Sequence, residues 1–262
     1  VFKTFIEKTH YSNGTVVLCG DDEGLKRVVG GSKADRTIWY GLHPDLDYTG
    51  SAIEIDGPSM RYTLARRGAQ LGRYSLPLIG THNVSNAVGV IALCDTLGFV
   101  DATRAAELLE GFKGTARRFE WKGKKGNTLV YDDFAHHPRE VLVTLAAVRA
   151  SFPRSSLWCV FGSHTYSRTK ELLDDFARAF VSADRVLVLD IYGSAREEQG
   201  TIHGRDLADS IDAVSSNACY VGTHVAALAE ITTHIDEIDV LITMGAGDVW
   251  RIAENFLTSL KP

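Results

Sequence analysis

The feature that most constrains the fold is a regular alternation of strands and helices in the second half of the chain. Short, almost continuously apolar segments predict strands at Thr128–Asp132, Ser156–Phe161, Arg185–Ile191, Ala218–Val221 and Asp239–Met244. Helical patterns follow near Pro138–Ala150, Arg168–Val181, Gly204–Ala213, Thr223–Ile235 and Asp248–Leu260. Apolar strands are typical of sheets that are buried on both faces and joined by helical crossovers. The pattern therefore predicts an α/β fold with a doubly wound, mostly parallel sheet.

The first half of the chain has a different pattern. It predicts strands at Thr15–Cys19, Thr37–Tyr40, Ser51–Ile55, Ser59–Ala65 and Leu71–Leu78, with a hairpin turn at Asp56-Gly57-Pro58. Two helices follow, from about Val84 to Leu97 and from Asp101 to Leu109, with Asp101 as an N-cap. The composition changes at Gly111–Gly114, just before a basic, glycine-rich segment. We therefore predict one domain over residues 1–114 and a second over residues 115–262.

The composition excludes several classes of protein. The 262 residues are 45% hydrophobic and carry a net charge of −5, which excludes a disordered chain and gives no case for a nucleic-acid binder. No apolar run reaches the roughly 18 residues of a membrane span. Four scattered cysteines predict reduced thiols in a cytoplasmic protein, with neither a disulfide framework nor a zinc site. The chain starts at Val1, not Met, and is expected to be a piece of a longer protein.

Ligands of parallel sheets bind at the carboxyl ends of the strands, so the residues after each strand are the candidates. The first predicted strand ends in Asp-Asp-Phe-Ala-His-His-Pro, residues 132–138. Two carboxylates and two imidazoles there could bind a ribose, hold a cation or transfer protons. The alternative is that Asp133 caps the next helix and that His136 and His137 are surface residues.

The second strand is followed by Gly-Ser-His-Thr-Tyr-Ser-Arg-Thr, residues 162–169. Arg168 falls in the first turn of a predicted helix, where the helix dipole favours anions over cations. An arginine in that position indicates a phosphate or carboxylate ligand, which the helix end would also attract. The alternative is a solvated loop with Ser167 as the N-cap.

Two later strand ends carry weaker signals. Residues 190–198 form a long connection, which fits a functional loop or a plain surface loop equally well. Gly245-Ala246-Gly247-Asp248 is a glycine turn between a strand and a helix, but it lacks the third glycine of a dinucleotide fingerprint. A dinucleotide-binding oxidoreductase is therefore a weak alternative, and a tight turn capped by Asp248 explains the segment as well.

In the first domain, residues 80–86 stand out. Asn83 and Asn86 lie three residues apart on one face of a helix start, and amide side chains suit the edge of an adenine. The alternative is an N-cap and a surface asparagine. Arg117 and Arg118 either clamp a ligand or form a surface pair. No segment matches the phosphate loop GxxxxGK[ST], so a phosphate loop, if the protein uses ATP, lies outside this chain.

Taken in order, these segments resemble the Mur ligases of bacterial cell-wall synthesis. The resemblance covers essentially the whole chain and rests on GTHNVSN (80–86), GTARRFE (114–120), DDFAHHP (132–138), HTYSRT (164–169), DIYGSARE (190–197) and MGAGD (244–248). Phe134 and Thr165 stand where other members carry Tyr and Arg. The resemblance implies the rear part of an ATPase-type central domain followed by a Rossmann-like C-terminal domain. The UDP-binding domain, the phosphate loop and the principal magnesium ligands would lie outside this chain.

The resemblance also implies a reaction. ATP and Mg²⁺ would be the cofactors, UDP-N-acetylmuramate and L-alanine the partners, with no nucleic acid and no membrane. An acyl phosphate would form on the muramyl carboxylate, and the amine of L-alanine would attack it during peptidoglycan synthesis. This chain alone should be inactive. The alternatives are the related ligase that adds a recycled tripeptide and a non-catalytic nucleotide-binding module.

Residue roles follow from the same resemblance. Adenine would be read by His82, Asn83 and Asn86, and the ribose and phosphate side of ATP would be held by Arg118 and Asp132. The catalytic residues, which would face the muramyl carboxylate, the acyl phosphate or the amino acid, are His136, His164 and Arg168. Weaker candidates are Tyr166, Ser167 and Thr169. No metal ligand is expected in the chain.

Overall fold

The structure is a computed structural model that describes residues 2–29, 36–56, 59–193 and 200–259. Backbone contacts divide the chain into two compact units, residues 1–113 and 114–262. Gly57 and Pro58 of the predicted hairpin turn lie outside the described residues, as do residues 194–198 of the predicted long loop. The two units are described one at a time.

The first unit is built on a five-stranded sheet in the order β1-β2-β3-β4-β5. Its elements are α1 (Phe2–Tyr11), β1 (Val16–Cys19), α2 (Glu23–Val29), β2 (Thr37–Gly41), β3 (Tyr48–Asp56), β4 (Ser59–Arg66), β5 (Ala69–Leu76), α3 (Thr81–Thr96) and α4 (Ala102–Glu110). The first three strands are parallel neighbours, and the last three pair antiparallel. Helix α3 packs its buried face, including Val84, Val88 and Ile91, against the sheet.

Two helices of this unit depart from the predicted strands and turns. Helix α1 buries only Ile6, while Phe2 and Phe5 are exposed, and α2 buries no residue at all. Each helix spans at most ten residues and repeats its apolar spacing for about one turn only, which is too little to distinguish a helix from other structure. The predicted N-cap of α4 is confirmed, because Asp101 accepts a hydrogen bond of 3.1 Å from the Arg104 N–H.

The second unit has a six-stranded sheet in the order β10-β9-β8-β11-β7-β6. Its elements are β6 (Glu120–Lys125), β7 (Thr128–Asp133), α5 (Pro138–Ser151), β8 (Leu157–Gly162), α6 (Tyr166–Glu171), α7 (Leu173–Ala179), β9 (Arg185–Leu189), α8 (Gly204–Ser215), β10 (Ala218–Gly222), α9 (His224–Thr233), β11 (Val240–Gly245) and α10 (Trp250–Thr258). The strands from β7 to β11 are all parallel, which confirms the predicted doubly wound sheet. Buried residues such as Val160, Leu187 and Leu241 form its core.

Two elements of the second unit differ from prediction. Strand β6 occupies the basic segment and pairs antiparallel with β7 at the edge of the sheet. Its lysines are used, because Lys125 Nζ donates to the Phe256 and Ser259 carbonyls at the end of α10. The predicted helix Arg168–Val181 is two helices that meet at Leu172. Only the second of them carries a large apolar residue, Phe176, into the core.

Candidate active site

The parallel sheet brings the predicted catalytic segments to one edge. Strand β11 lies between β7 and β8, with Met244 beside Asp133 and Gly245 beside Gly162. Because neighbouring strands are about 4.8 Å apart, the ends of β7 and β8 lie roughly 10 Å apart. His136, which follows β7, and His164 and Arg168, which follow β8, therefore share this edge, which we call the carboxyl edge.

Asp132 has a different place from the predicted contact with ATP. Its carboxylate has no exposed surface. One oxygen accepts a 2.6 Å hydrogen bond from the Thr243 hydroxyl, and the other accepts 2.8 Å from Arg117 Nε. A carboxylate that is buried and bonded at both oxygens cannot reach a ribose, so Asp132 is an internal anchor instead.

Asp133, the next residue, is also nearly buried. Its two oxygens accept hydrogen bonds of 2.7 Å from the backbone N–H groups of Ala135 and Phe119. Burial raises the pKa of Asp133 to about 6, although these two N–H groups act in the opposite direction. The alternative that Asp133 caps α5 is wrong, because the N-cap is His137, whose side chain accepts from the Arg139 N–H.

The imidazole of His136 is fixed by its neighbours. Nδ1 lies 3.0 Å from the Phe134 carbonyl oxygen and 3.5 Å from Glu140 Oε2. The ring also meets the edge of the Phe134 ring, with centroids 5.2 Å apart. Because Nδ1 is engaged, Nε2 is the nitrogen left for a ligand or a proton.

Helix α6 places Arg168 in its first turn, as predicted. The helix begins at Tyr166 after Thr165, which has a left-handed φ of 72° and makes no side-chain capping bond. The alternative with Ser167 as N-cap is therefore wrong. Arg168 Nη1 is buried and has no hydrogen-bond partner among the residues that the structure describes. A buried donor without an acceptor costs stability, so this nitrogen is a candidate to bind an anionic ligand.

A cavity of about 230 Å³ lies at the ends of β8, β9, β10 and β11. The Tyr192 ring lines it and stacks on His164, with centroids 5.7 Å apart and planes 19° apart. His224 and Asp248 line it too, with Nε2 and Oδ1 3.4 Å apart. Sequence reasoning missed His224, because one histidine at a helix start carries no distinguishing signal.

The carbonyl groups of the glycine turn after β11 accept hydrogen bonds from a side chain of the same unit. Arg117 donates to the Gly245 carbonyl at 2.6 Å and to the Gly247 carbonyl at 2.8 Å. Gly245 has a φ of 137°, and a Cβ there would overlap the Gly162 carbonyl oxygen. The close approach of β8 therefore explains Gly245, while a Cβ at Gly247 would lie 3.3 Å from the Tyr192 ring. Asp248 is not the predicted cap, because α10 begins at Trp250 after Val249.

The predicted adenine residues all lie in the first turns of α3, which begins at Thr81, three residues earlier than predicted. Asn83 Nδ2 donates to the Ile79 carbonyl at 2.7 Å, which leaves the side-chain oxygen for a ligand. Burial lowers the pKa of His82, so its neutral form is favoured. Asn86 is exposed.

Neither a metal-binding cluster nor a membrane-spanning helix is found in the part of the chain that the structure describes. In residues 2–29, 36–56, 59–193 and 200–259, no group of three His, Cys, Asp or Glu side chains could hold a metal ion. Over the same ranges, none of the helices combines the length and the apolar character needed to cross a bilayer.

Comparison with known proteins adds the family. Residues 117–247, from Arg117 to the glycine turn, match the Mur ligase, glutamate ligase domain. The chain is a Mur ligase family member. Arg117, Asp132 and Gly245 all lie within the matched range.

Individual Mur ligases are similar over nearly the whole chain. A UDP-N-acetylmuramate--L-alanine ligase of Caldanaerobacter subterraneus subsp. tengcongensis is 35% identical over 251 residues, which are 95% of this chain and 54% of that protein. The crystal structure of UDP-N-acetylmuramate-alanine ligase from Thermotoga maritima is 27% identical, with a TM-score of 0.72, and the match covers 93% of this chain and 50% of that one. The chain thus spans about half the length of these relatives.

A MurF ligase from Thermotoga maritima, solved in complex with ADP, shares the fold alone. It is 16% identical with a TM-score of 0.66, over 93% of this chain and 53% of that one.

Proposed function

We propose that the protein to which this chain belongs is an ATP-dependent ligase that joins L-alanine to UDP-N-acetylmuramate in peptidoglycan synthesis. The observation that carries the proposal is the similarity of 95% of the chain to a relative of that name. The two units would be the rear of a central ATP-binding domain, residues 1–114, and a C-terminal domain, residues 115–262. A cytoplasmic location, where ATP is available, fits this reaction.

The carboxyl edge supports an acid–amino-acid ligase. Such a reaction develops negative charge on a carboxylate, on a transferred phosphoryl group and on the acyl phosphate. Arg168 Nη1, which has no partner among the described residues, would donate to one of these oxygens. Its electrostatic attraction for the oxygen would be strongest in a site shielded from water.

The two histidines would act on the incoming amine. An ammonium group must lose a proton before its nitrogen can attack a carbonyl carbon, and a neutral imidazole nitrogen can accept that proton. His136 presents Nε2 because its Nδ1 is held by the Phe134 carbonyl. His164, stacked on Tyr192, would orient the carboxylate or the amino acid.

The nucleotide would be bound by other residues. The oxygen of Asn83 would accept from the adenine amino group, with His82 and Asn86 beside it. Arg118 would donate to the ribose or phosphate side. Asp132 is not among these ligands. Mg²⁺ would neutralise phosphate charge when bound, with its principal ligands outside this chain.

The test is phosphate release by the complete protein, purified with its preceding sequence. We expect release that requires ATP, UDP-N-acetylmuramate and L-alanine together, and none from the 262-residue chain alone. Use of a tripeptide in place of L-alanine would point to the recycling ligase. Nucleotide binding by the complete protein without turnover on either acceptor would point to a non-catalytic module.

A further inference from the structure

The backbone on either side of Arg118 is unusual. Arg117 has a φ of 58° and Phe119 a φ of 46°, so two residues with a Cβ occupy the left-handed region, one before and one after Arg118. Side chains avoid this region, and residues persist there only when their surroundings hold them. The contacts that hold these two residues are therefore informative.

Arg117 is held at its backbone and along its side chain. Its N–H donates to Glu120 Oε2 at 2.8 Å, and its carbonyl accepts from the Phe134 N–H at 2.7 Å. Its guanidinium pairs with buried Asp132 and donates to the carbonyls of Gly245 and Gly247, 128 and 130 residues along the chain. The guanidinium therefore fastens the start of the second unit to β7 and to the turn after β11.

Phe119 is held by a second carboxylate. Its N–H donates to Asp133 Oδ2 at 2.7 Å, and its ring stacks on Tyr131 with centroids 4.4 Å apart. The adjacent acids Asp132 and Asp133 thus hold the residues before and after Arg118. Neither acid needs a ligand to explain its burial.

The ring of Phe134 connects the two arginines. The Arg117 guanidinium lies 5.0 Å from the ring centroid and that of Arg118 lies 5.7 Å from it. Such cation–π contacts orient a guanidinium without consuming its hydrogen-bond donors. Over the described residues, Arg118 takes part in no ion pair with a carboxylate, whereas Arg117 does.

We propose that Arg117 is a positioning residue that acts through Arg118. Its clamp on Asp132, Gly245 and Gly247 fixes the left-handed backbone, and this backbone and the Phe134 ring hold Arg118 in one orientation with its donors available to a nucleotide anion. The inference rests on the proposed function in taking ATP as the ligand of Arg118. It gives Arg117 no contact with that ligand.

The test is a double-mutant cycle on nucleotide affinity in the complete protein. Arg117→Met keeps the aliphatic stem and removes the guanidinium, and Arg118→Met does the same one residue on. We expect each single change to raise the dissociation constant for ADP and the KM for ATP roughly 10- to 100-fold, the effect of losing a charged hydrogen bond. The kcat at saturating ATP should change less than about 3-fold. The double variant should have the same dissociation constant for ADP as Arg118→Met alone.

Arg149→Met is the matched control. Arg149 also pairs with a carboxylate, Asp184, and donates to three backbone carbonyls, but it lies at the opposite end of the strands. The Arg149→Met variant should lower the unfolding temperature, as Arg117→Met does, and should leave the dissociation constant for ADP unchanged. Equal effects of the two variants on ADP, or additive losses in the double variant, would overturn the proposal.

If Arg117→Met does not fold, Asp132→Asn replaces it. The Thr243 hydroxyl can reverse its hydrogen bond to an amide, so this variant keeps the packing and weakens only the clamp. We expect a smaller rise in the ADP dissociation constant, roughly 3-fold. Calorimetry with ADP needs no turnover. A wild-type protein that binds ADP but makes no amide would contradict the proposed function alone, and an unchanged ADP affinity in both variants would contradict the clamp alone.

Discussion

The two edges of the parallel sheet use the same device with different results. At the carboxyl edge, Arg117 pairs with Asp132 and donates to two backbone carbonyls. At the amino edge, Arg149 pairs with Asp184 at 2.6 Å and donates to the carbonyls of three residues before β8 and β9: Phe152, Ser155 and Ser182. Each arginine thus joins chain segments that are far apart in sequence.

The surroundings of the two clamps differ. Arg149 belongs to the regular helix α5, and the Asp184 side chain is 51% exposed. Arg117 has a left-handed backbone, and the Asp132 side chain has no exposed surface. The clamp at the edge where ligands are expected therefore combines a strained backbone with a fully buried carboxylate, while the clamp at the other edge has neither. Either clamp can stabilise the fold, and the strain at Arg117 is the additional feature that motivates a functional hypothesis.

The largest effect expected from this comparison is on turnover. Arg168 at the carboxyl edge and Arg185 at the amino edge each have one buried nitrogen that finds no partner within the described part of the chain, but Arg185 also pairs with Glu230 at 2.6 Å. If Arg168 has the proposed role, Arg168→Ala should lower the kcat of the complete protein roughly 30- to 1000-fold, because it would remove a charged contact made mainly in the transition state. The KM for ATP should change little.

Arg185→Ala is the control for that experiment. It should lower the unfolding temperature and leave kcat within about 3-fold, since no ligand is expected at its edge. Steady-state kinetics with circular dichroism to check folding would measure both variants. Equal losses of kcat would show that the two edges are not functionally different.

The next effect is on the pH dependence of stability. The pKa of Asp133 is raised by burial from an ordinary 3.8 to about 6, so its protonated form is favoured in the folded chain. The contribution of protonated Asp133 to the free energy of unfolding is largest below about pH 4 and is lost as the pH rises through 6. Relative to Asp133→Asn, the free energy of unfolding of the wild type should fall by about 2 kcal/mol between pH 4 and pH 7.5.

Urea unfolding followed by tryptophan fluorescence at several pH values would measure this difference. Asp184→Asn at the amino edge serves as the control and should keep the full pH dependence, because Asp133 is intact in it. A pH profile of Asp133→Asn that runs parallel to the wild type would contradict the shifted pKa.

A smaller effect is expected on nucleotide affinity in the first unit. Asn83→Ala removes the oxygen assigned to adenine and should raise the KM for ATP about 10-fold with kcat nearly unchanged. Asn217→Ala at the amino edge removes a comparable amide, whose Nδ2 donates to the Ala183 carbonyl at 2.7 Å. It should alter stability and leave the KM for ATP unchanged. If Asn83→Ala lowered kcat by a larger factor than it raised the KM for ATP, the assignment of Asn83 to adenine would be wrong.

The smallest effect is on local strain. Thr165 at the carboxyl edge and Ser216 at the amino edge are both left-handed, with φ of 72° and 52°. Glycine is free to adopt this backbone, so Thr165→Gly and Ser216→Gly should each raise the free energy of unfolding by about 0.5 kcal/mol. Only Thr165→Gly should also lower kcat, about 3-fold, because it loosens the entry to the helix of Arg168. If kcat were unchanged in both variants, the left-handed backbone at Thr165 would have no role in turnover.

The sheet of the second unit could be predicted because its strands are apolar throughout, and burial on both faces is a strong and simple signal. The same logic located His136, His164 and Arg168, since strand ends in a parallel sheet converge at one edge. Strand β6 gave no such signal, because an edge strand rich in lysine has little apolar character. Helices α1 and α2 could not be predicted for a different reason, because each is short and buries at most one residue.

The clamp could not be predicted from the sequence. Asp132 and Asp133 are adjacent and chemically equal, and only the direction of each side chain on β7 decides that the first meets Arg117 and the second meets Phe119. The partners of Arg117 at Gly245 and Gly247 are separated from it by 128 and 130 residues. Pairing over such separations is a property of the folded sheet, which local patterns do not contain.

The close approach behind Gly245 has a consequence for reading mutational tolerance. A Cβ at Gly245 would overlap the Gly162 carbonyl oxygen, and one at Gly204 would overlap the Leu189 carbonyl oxygen. Both obstacles are backbone atoms of strands in the sheet, so no side-chain rotation can relieve them. In a saturation library of the whole chain, these two positions should reject all nineteen replacements, as we also expect of Arg168. Intolerance at Gly245 and Gly204 would then report the spacing of the backbone, and a map of fitness alone would mistake them for ligand contacts.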